Sequence, residues 1–296
     1  MDSALITIGL PVALAVIMFG LGLALTPADF TRVGRHPRAV AIALACQLVL
    51  LPLVAFGLVK FWGLDPLLAV GFMILAASPG GTTANLMSHL FRGDVALNIT
   101  LTAINSIIAI VTLPLVTNWA LGHFLDDGSQ IGLQFDKMAQ VFAIVLVPVV
   151  IGMLVRRASP TFAARMDRPV RIASAVLLFL VIIGAMIGEK DNIMGYLADV
   201  GFVAALFCVI SLSVGYAVPR LLGVTEDQAI ASGFEIGIHN STLAIAMAIT
   251  VLESTEMSIP PAVYGILMFP IAAAFGVVVR NRAVLTPSEK VDAPVS

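Results

Sequence analysis

The sequence predicts an all-α polytopic membrane protein, and three observations carry that prediction. Hydrophobic residues make up 59% of the 296 positions and charged residues only 11%, where a soluble domain carries roughly 25% charged residues. Apolar runs near the roughly 20 residues needed to cross a bilayer recur along the whole chain. Two of those runs are interrupted by proline, glycine and polar side chains, which a continuous transmembrane helix does not need.

Taken in order, the runs predict nine spans, at about 4 to 25, 39 to 60, 66 to 90, 95 to 120, 138 to 155, 171 to 188, 200 to 219, 228 to 252 and 262 to 279. Met1-Asp2-Ser3 precedes the first without the basic segment of a secretory signal, so that run is expected to stay as a span. The last residues, 286–296, are polar with Pro287 and Pro294 and are expected to form a disordered tail. Cys46 and Cys208 sit inside apolar runs and read as packing residues, not as a disulfide or metal site.

The charge pattern orients the bundle. Arg32, Arg35, Arg38, Arg92, Arg156, Arg157, Arg165, Arg168, Arg171, Arg220, Arg280, Arg282 and Lys290 fall on one side, which is 13 of the 16 basic residues. Lys60, Lys137 and Lys190 fall on the other, among nine of the 18 acidic residues. The positive-inside rule then predicts an outside N-terminus and a cytoplasmic C-terminus. Net charge is only −2 with basic residues scattered through connectors, which sets nucleic-acid binding aside. No obligatory protein partner is evident.

The third predicted span holds Ala76-Ala77-Ser78-Pro79-Gly80-Gly81-Thr82-Thr83-Ala84-Asn85. Pro79 removes a backbone donor and the glycine pair eases opening, so the helix is expected to break there. The eighth span carries Glu235, His239 and Asn240 between Gly233 and Thr250. A carboxylate at bilayer depth costs several kcal/mol unless paired or facing a polar cavity, so Glu235 marks a candidate site. In the fourth span Asn98, Thr102 and Asn105 recur on one helical face. Such a stripe, like Gln47 in the second span, also suits interhelical hydrogen bonding. Two unrelated kinks would explain the interruptions, but two broken spans in separate halves point to a transporter built on inverted repeats. Carboxylate, amide and hydroxyl oxygens together are the hard ligands an alkali cation prefers.

Ser78-Pro-Gly-Gly-Thr-Thr-Ala-Asn85, Arg92-Gly-Asp-Val-Ala-Leu97 and Glu235-Ile-Gly-Ile-His-Asn-Ser241 resemble the signature regions of the bile acid sodium symporter family. Met18 to Phe30, with His36-Pro37 after it, is also similar to that family. The resemblance implies a core domain with two broken helices crossing at mid-membrane beside a panel domain, and alternating access. It implies one transmembrane domain over 1–285, with a first repeat at about 4–120 and a second at about 138–279. It implies Na+ as coupling ion, no other cofactor, and an organic anion as cargo, bile acid-like or a small carboxylate. A bacterial inner membrane is the expected location.

Carried over by residue, the resemblance assigns a first sodium site to Asn85, Asn98, Thr102 and Glu235. A second site would use Gln47, Glu235, backbone carbonyls around Ile236 and Ile238, and the side chain at 239. The family usually has glutamine where this chain has His239; a protonated His239 sharing a helical face with Glu235 would replace or modulate the second ion, and a neutral one would donate a hydrogen bond to an unwound carbonyl. Thr82, Thr83 and Asn240 are the expected substrate contacts, beside half-helix N-termini that favour an anion. The rival readings are an intramembrane enzyme using Glu235 with His239, and a proton-coupled carrier of the same fold.

Overall fold

The computed structural model describes residues 36–125, 135–166 and 193–285, with a few further positions between 15 and 34 and between 169 and 176. Helix α1, Pro37–Trp62, starts on a proline whose fixed φ suits a first turn, and it stops at Gly63 in the left-handed region (φ 62°). Inside it, Cys46–Leu50 widens to a π-turn just ahead of Pro52. A proline ring presses on the carbonyl four residues back, and a π-turn absorbs that conflict. Gln47 lies within the widened turn.

The next span is two helices, α2 (Pro66–Ala77) and α3 (Thr82–Leu90). The Asp65 carboxylate caps α2 by accepting from the Leu67 amide at 2.9 Å. The helix stops because Ser78, which precedes a proline, takes an extended conformation (φ −70°, ψ 144°). Helix α4, Val95–Phe124, starts under an Asp94 cap on the Leu97 amide at 3.0 Å. Helices α5 (Phe135–Ala158) and α6 (Ile193–Leu221) follow.

The second break separates α7 (Glu226–Gly237) from α8 (Ser241–Ala246), which continues as a π-turn to Val251. Glu226 and Asp227 in the first turn of α7 complement the helix dipole. A short 3₁₀ turn, Glu256–Ser258, leads into α9, Ile259–Leu285.

Among the described residues, four helical stretches are long and apolar enough to cross a membrane: Pro37–Trp62, Val95–Phe124, Val200–Leu221 and Glu256–Arg280. The halves Pro66–Ala77 and Ser241–Val251 are apolar but short, as two interrupted spans require. Spans expected at 4 to 25 and 171 to 188 lie largely outside the described residues, as does the tail 286–296. Helix α6 begins at Ile193, ahead of the expected 200, and α4 runs on to Phe124, past the expected 120. Hydropathy marks the part inside the bilayer, whereas helical hydrogen bonding continues into the interface.

Helix α7 packs on α6 and α4, and α2 packs on α4 and α1. Every residue from Leu68 to Ala77 in α2, and from Ala229 to Gly237 in α7, is buried. A helix covered on all sides needs no amphipathic stripe, so these two half-helices form the middle of the bundle. The α6–α7 contact is close enough that a Cβ on Gly215 would lie 3.0 Å from the Gly233 Cα. Cys46 and Cys208 are free and buried within this packing.

Candidate functional site

The two breaks meet. Gly80 and His239 form an isolated antiparallel bridge. The Gly81 amide donates to the Ile238 carbonyl at 2.9 Å and the Asn240 amide to the Pro79 carbonyl at 2.8 Å. Backbone groups released from helical bonding cannot be left bare at bilayer depth, and here each break supplies the other's partners. The Asn240 side chain also caps α8, its Oδ1 accepting from the Leu243 amide at 3.0 Å.

Glu235 is in the last turn of α7 with 0% exposure. Its Oε2 accepts from Thr102 Oγ1 at 2.5 Å and its Oε1 from Asn105 Nδ2 at 3.1 Å. A backbone hydrogen bond from Gly80 completes the set. All three donors are neutral. They orient the carboxylate without cancelling its charge, so a cation is the natural complement of this arrangement. Gly80 fits because it lacks a side chain: a Cβ there would overlap the Glu235 carboxyl group.

The α4 stripe faces this carboxylate. Asn98 Nδ2 donates to the Ala231 carbonyl at 2.7 Å, one turn before Glu235 on α7. The carbonyl oxygens of Asn98 and Asn105, and that of Asn85 on α3, are buried without a hydrogen-bond partner among the described residues. The α3 helix packs against both α4 and α7. On Asn98 and Asn105 the nitrogen donors are used on protein and the oxygens are left over. Buried acceptors are rarely left so, and amide oxygens on helices packed against the one that carries Glu235 are, with its carboxylate, the ligand type a hard cation takes. No cluster of three or more His, Cys, Asp and Glu suited to a metal exists among the described residues.

The opposite side of the crossing is arranged differently. Gln47 Nε2 donates to the Ser78 carbonyl at 3.0 Å, and His239 Nδ1 lies 3.3 Å from the same oxygen. A carbonyl only accepts, so Nδ1 carries the proton. The imidazole is buried, stacked on Phe207 (5.4 Å, 14°) and edge-on to Tyr264 (5.4 Å, 66°). The Tyr264 hydroxyl donates to the Gly237 carbonyl at 2.8 Å. Because α7 ends at Gly237, His239 follows the helix and does not share a helical face with Glu235. Ile236 and Ile238 are buried apolar side chains, and the Ile238 carbonyl is the acceptor for Gly81. Thr82 and Thr83 occupy the first turn of α3.

Asn105 was legible as part of the stripe but not as a Glu235 partner. Gly80 carried a local signal in the Gly-Gly pair, whereas Tyr264 carried none, being one phenol in an apolar span.

Helices that cross a bilayer and break against one another around a carboxylate and open amide oxygens define a membrane secondary transporter. The family model described as the sodium bile acid symporter family matches residues 11–196, and the chain belongs to that family. Among its relatives is the uncharacterized sodium-dependent transporter YocS of Bacillus subtilis, 29% identical over 86% of this chain and 77% of that protein. The human ileal sodium/bile acid cotransporter is 26% identical over 92% of this chain and 79% of that protein. A rice (Oryza sativa subsp. japonica) protein, the probable chloroplastic sodium/metabolite cotransporter BASS2, is 26% identical over 95% of this chain and 65% of that protein. Membership makes the chain a multi-pass membrane protein and a sodium-coupled symporter, in a family of transporters and not of enzymes.

Proposed function

We propose that this chain moves an organic anion across a bacterial cell membrane together with inward-moving sodium, by alternating access of a core domain against a panel domain. The observation that carries the reading is Glu235, oriented by neutral donors and accompanied by unpartnered oxygens of Asn85, Asn98 and Asn105. In this reading sodium binds among Asn85, Asn98, Thr102, Asn105 and Glu235. It neutralises the carboxylate and holds the crossed breaks in register. The anion then meets Thr82, Thr83 and Asn240 at the N-terminal ends of α3, which has no side-chain cap, and α8, where the helix dipoles favour negative charge.

The repeats would span about 4–120 and 138–279, with the N-terminus outside and the C-terminus cytoplasmic. Each net positive charge moved inward at 100 mV would release about 2.3 kcal/mol, equivalent to a few tens-fold accumulation per net charge. The relatives' names give two cargo terms, bile acid and metabolite.

The test has two stages. Sodium, compared with potassium or choline at equal ionic strength, is expected to raise the melting temperature of the purified protein, since a ligand of the native state stabilises it by RT ln(1 + [L]/Kd). Sodium-driven uptake into proteoliposomes is then screened with steroid conjugates, branched hydroxy acids and keto acids. Equal melting in all three salts would remove sodium from the mechanism.

A further inference from the structure

The polar atoms at the crossing fall into two sets, and only one is arranged for a cation. On the Glu235 side the open atoms are three amide oxygens, with the carboxylate between Thr102 and Asn105. On the His239 side the carbonyls of Ser78, Gly237 and Ile238 already accept protein donors. Ser78 takes Gln47 Nε2 at 3.0 Å and His239 Nδ1 at 3.3 Å, Gly237 takes the Tyr264 hydroxyl at 2.8 Å, and Ile238 takes the Gly81 amide at 2.9 Å. A proton directed at an oxygen repels a cation approaching the same lone pairs. Of the side chains assigned to a second ion, Gln47 and His239 leave one open acceptor each, Gln47 Oε1 and His239 Nε2. An amide oxygen and an imidazole nitrogen are a poor pair of ligands for sodium, which prefers several hard oxygens.

Charge leads to the same result. Glu235 is the only carboxylate among the buried polar side chains of the described residues. One sodium cancels it. Before the anion binds, a second would leave a net positive charge in the bilayer interior, where uncompensated charge is costly.

We propose that this chain binds a single sodium ion, on the Glu235 side, and that Gln47, His239 and Tyr264 act as hydrogen-bond donors that close the other side to a second. The inference rests on the sodium-coupled reading above and fixes its stoichiometry. A monovalent anion carried with one sodium then moves no net charge, so only the sodium gradient drives it, and only a more highly charged cargo would respond to membrane potential.

The experiment counts ions on the purified full-length protein, with sodium alone as probe. Equilibrium binding of radioactive sodium is expected to saturate at one ion per protein, and a sodium titration of thermal stability to fit a Hill coefficient of about one. Saturation at two ions, or a Hill coefficient approaching two, overturns the inference and leaves sodium coupling standing. Absence of any saturable sodium binding overturns both together.

Discussion

The two breaks differ in what they contribute. The first, Ser78 to Gly81, is made by backbone chemistry: Pro79 ends α2, and Gly80 leaves room for the Glu235 carboxyl group. The second, Ile238 to Asn240, carries the candidate site's side chains, with Glu235 before it and His239 and Asn240 within it. One break supplies space and the other charge. In the proposed reading the cation site forms only where they meet, so moving either break away from the crossing should dismantle it without unfolding either helix pair. This arrangement suits a carrier, whose site must be stable when loaded and release its ion when a step in the cycle disturbs the register.

The largest effect is expected on the side that supplies charge. Glu235→Gln keeps the shape and the Thr102 and Asn105 neighbours but removes the charge. Sodium stabilisation, which reaches about 2.7 kcal/mol at a hundredfold excess over Kd, should vanish along with sodium-driven uptake, while the protein still elutes as a folded species. A variant that kept its sodium-dependent melting shift would place the ion elsewhere. Next comes the side that supplies space. In Gly80→Ala the added carbon collides with the carboxyl group, and overpacking of a close contact costs roughly 1–3 kcal/mol. Melting in sodium-free buffer should fall by that amount, and the sodium midpoint should rise as Glu235 is displaced. A Gly80→Ala protein that binds sodium as tightly as the parent would show that the first break contributes nothing but a bend.

Both breaks were legible in the sequence because their causes are local. A proline followed by two glycines cannot continue a helix, and a lone carboxylate in an apolar run needs a reason. Their meeting was not legible, because Gly80 and His239 are far apart in sequence and are joined by a single bridge. The direction of the amides was hidden too. Asn98 and Ala231 bond across 133 positions, and whether an asparagine offers its nitrogen or its oxygen depends on such a partner. The spacing of Glu235 and His239 suggested a shared face only on the condition that the helix continued. That condition fails at Gly237, where the chain leaves α7 for the bridge. Tyr264 gave no signal because a buried phenol and a packing aromatic look alike in sequence.

A smaller effect belongs to the α4 stripe. Asn98→Ala and Asn105→Ala each remove one open oxygen, and Thr102→Ala removes a donor that orients the carboxylate. Each is expected to raise the sodium midpoint about tenfold, equivalent to ~1.4 kcal/mol, with little change in which anions are carried. If all three matched the parent in a sodium titration, the stripe would serve only to hold α4 against α7.

The smallest change is expected at His239, and it separates two causes of the same stoichiometry. Glutamine at 239 can still donate to the Ser78 carbonyl and brings an oxygen where the imidazole had a nitrogen. If ligand type alone kept a second sodium out, His239→Gln should admit it, and the Hill coefficient would climb towards two. If the limit is charge, the new oxygen changes nothing, because Glu235 remains the only buried carboxylate among the described residues. The engaged carbonyls of Gly237 and Ile238 point to the same outcome as a charge limit, since the substitution leaves Tyr264 and Gly81 bonded to them. The expected outcome is therefore a Hill coefficient that stays near one. Loss of the stacking on Phe207 and Tyr264 should lower the melting temperature by an amount equivalent to about 1 kcal/mol. A clear rise in the coefficient would move the cause from the count of carboxylates to the imidazole itself.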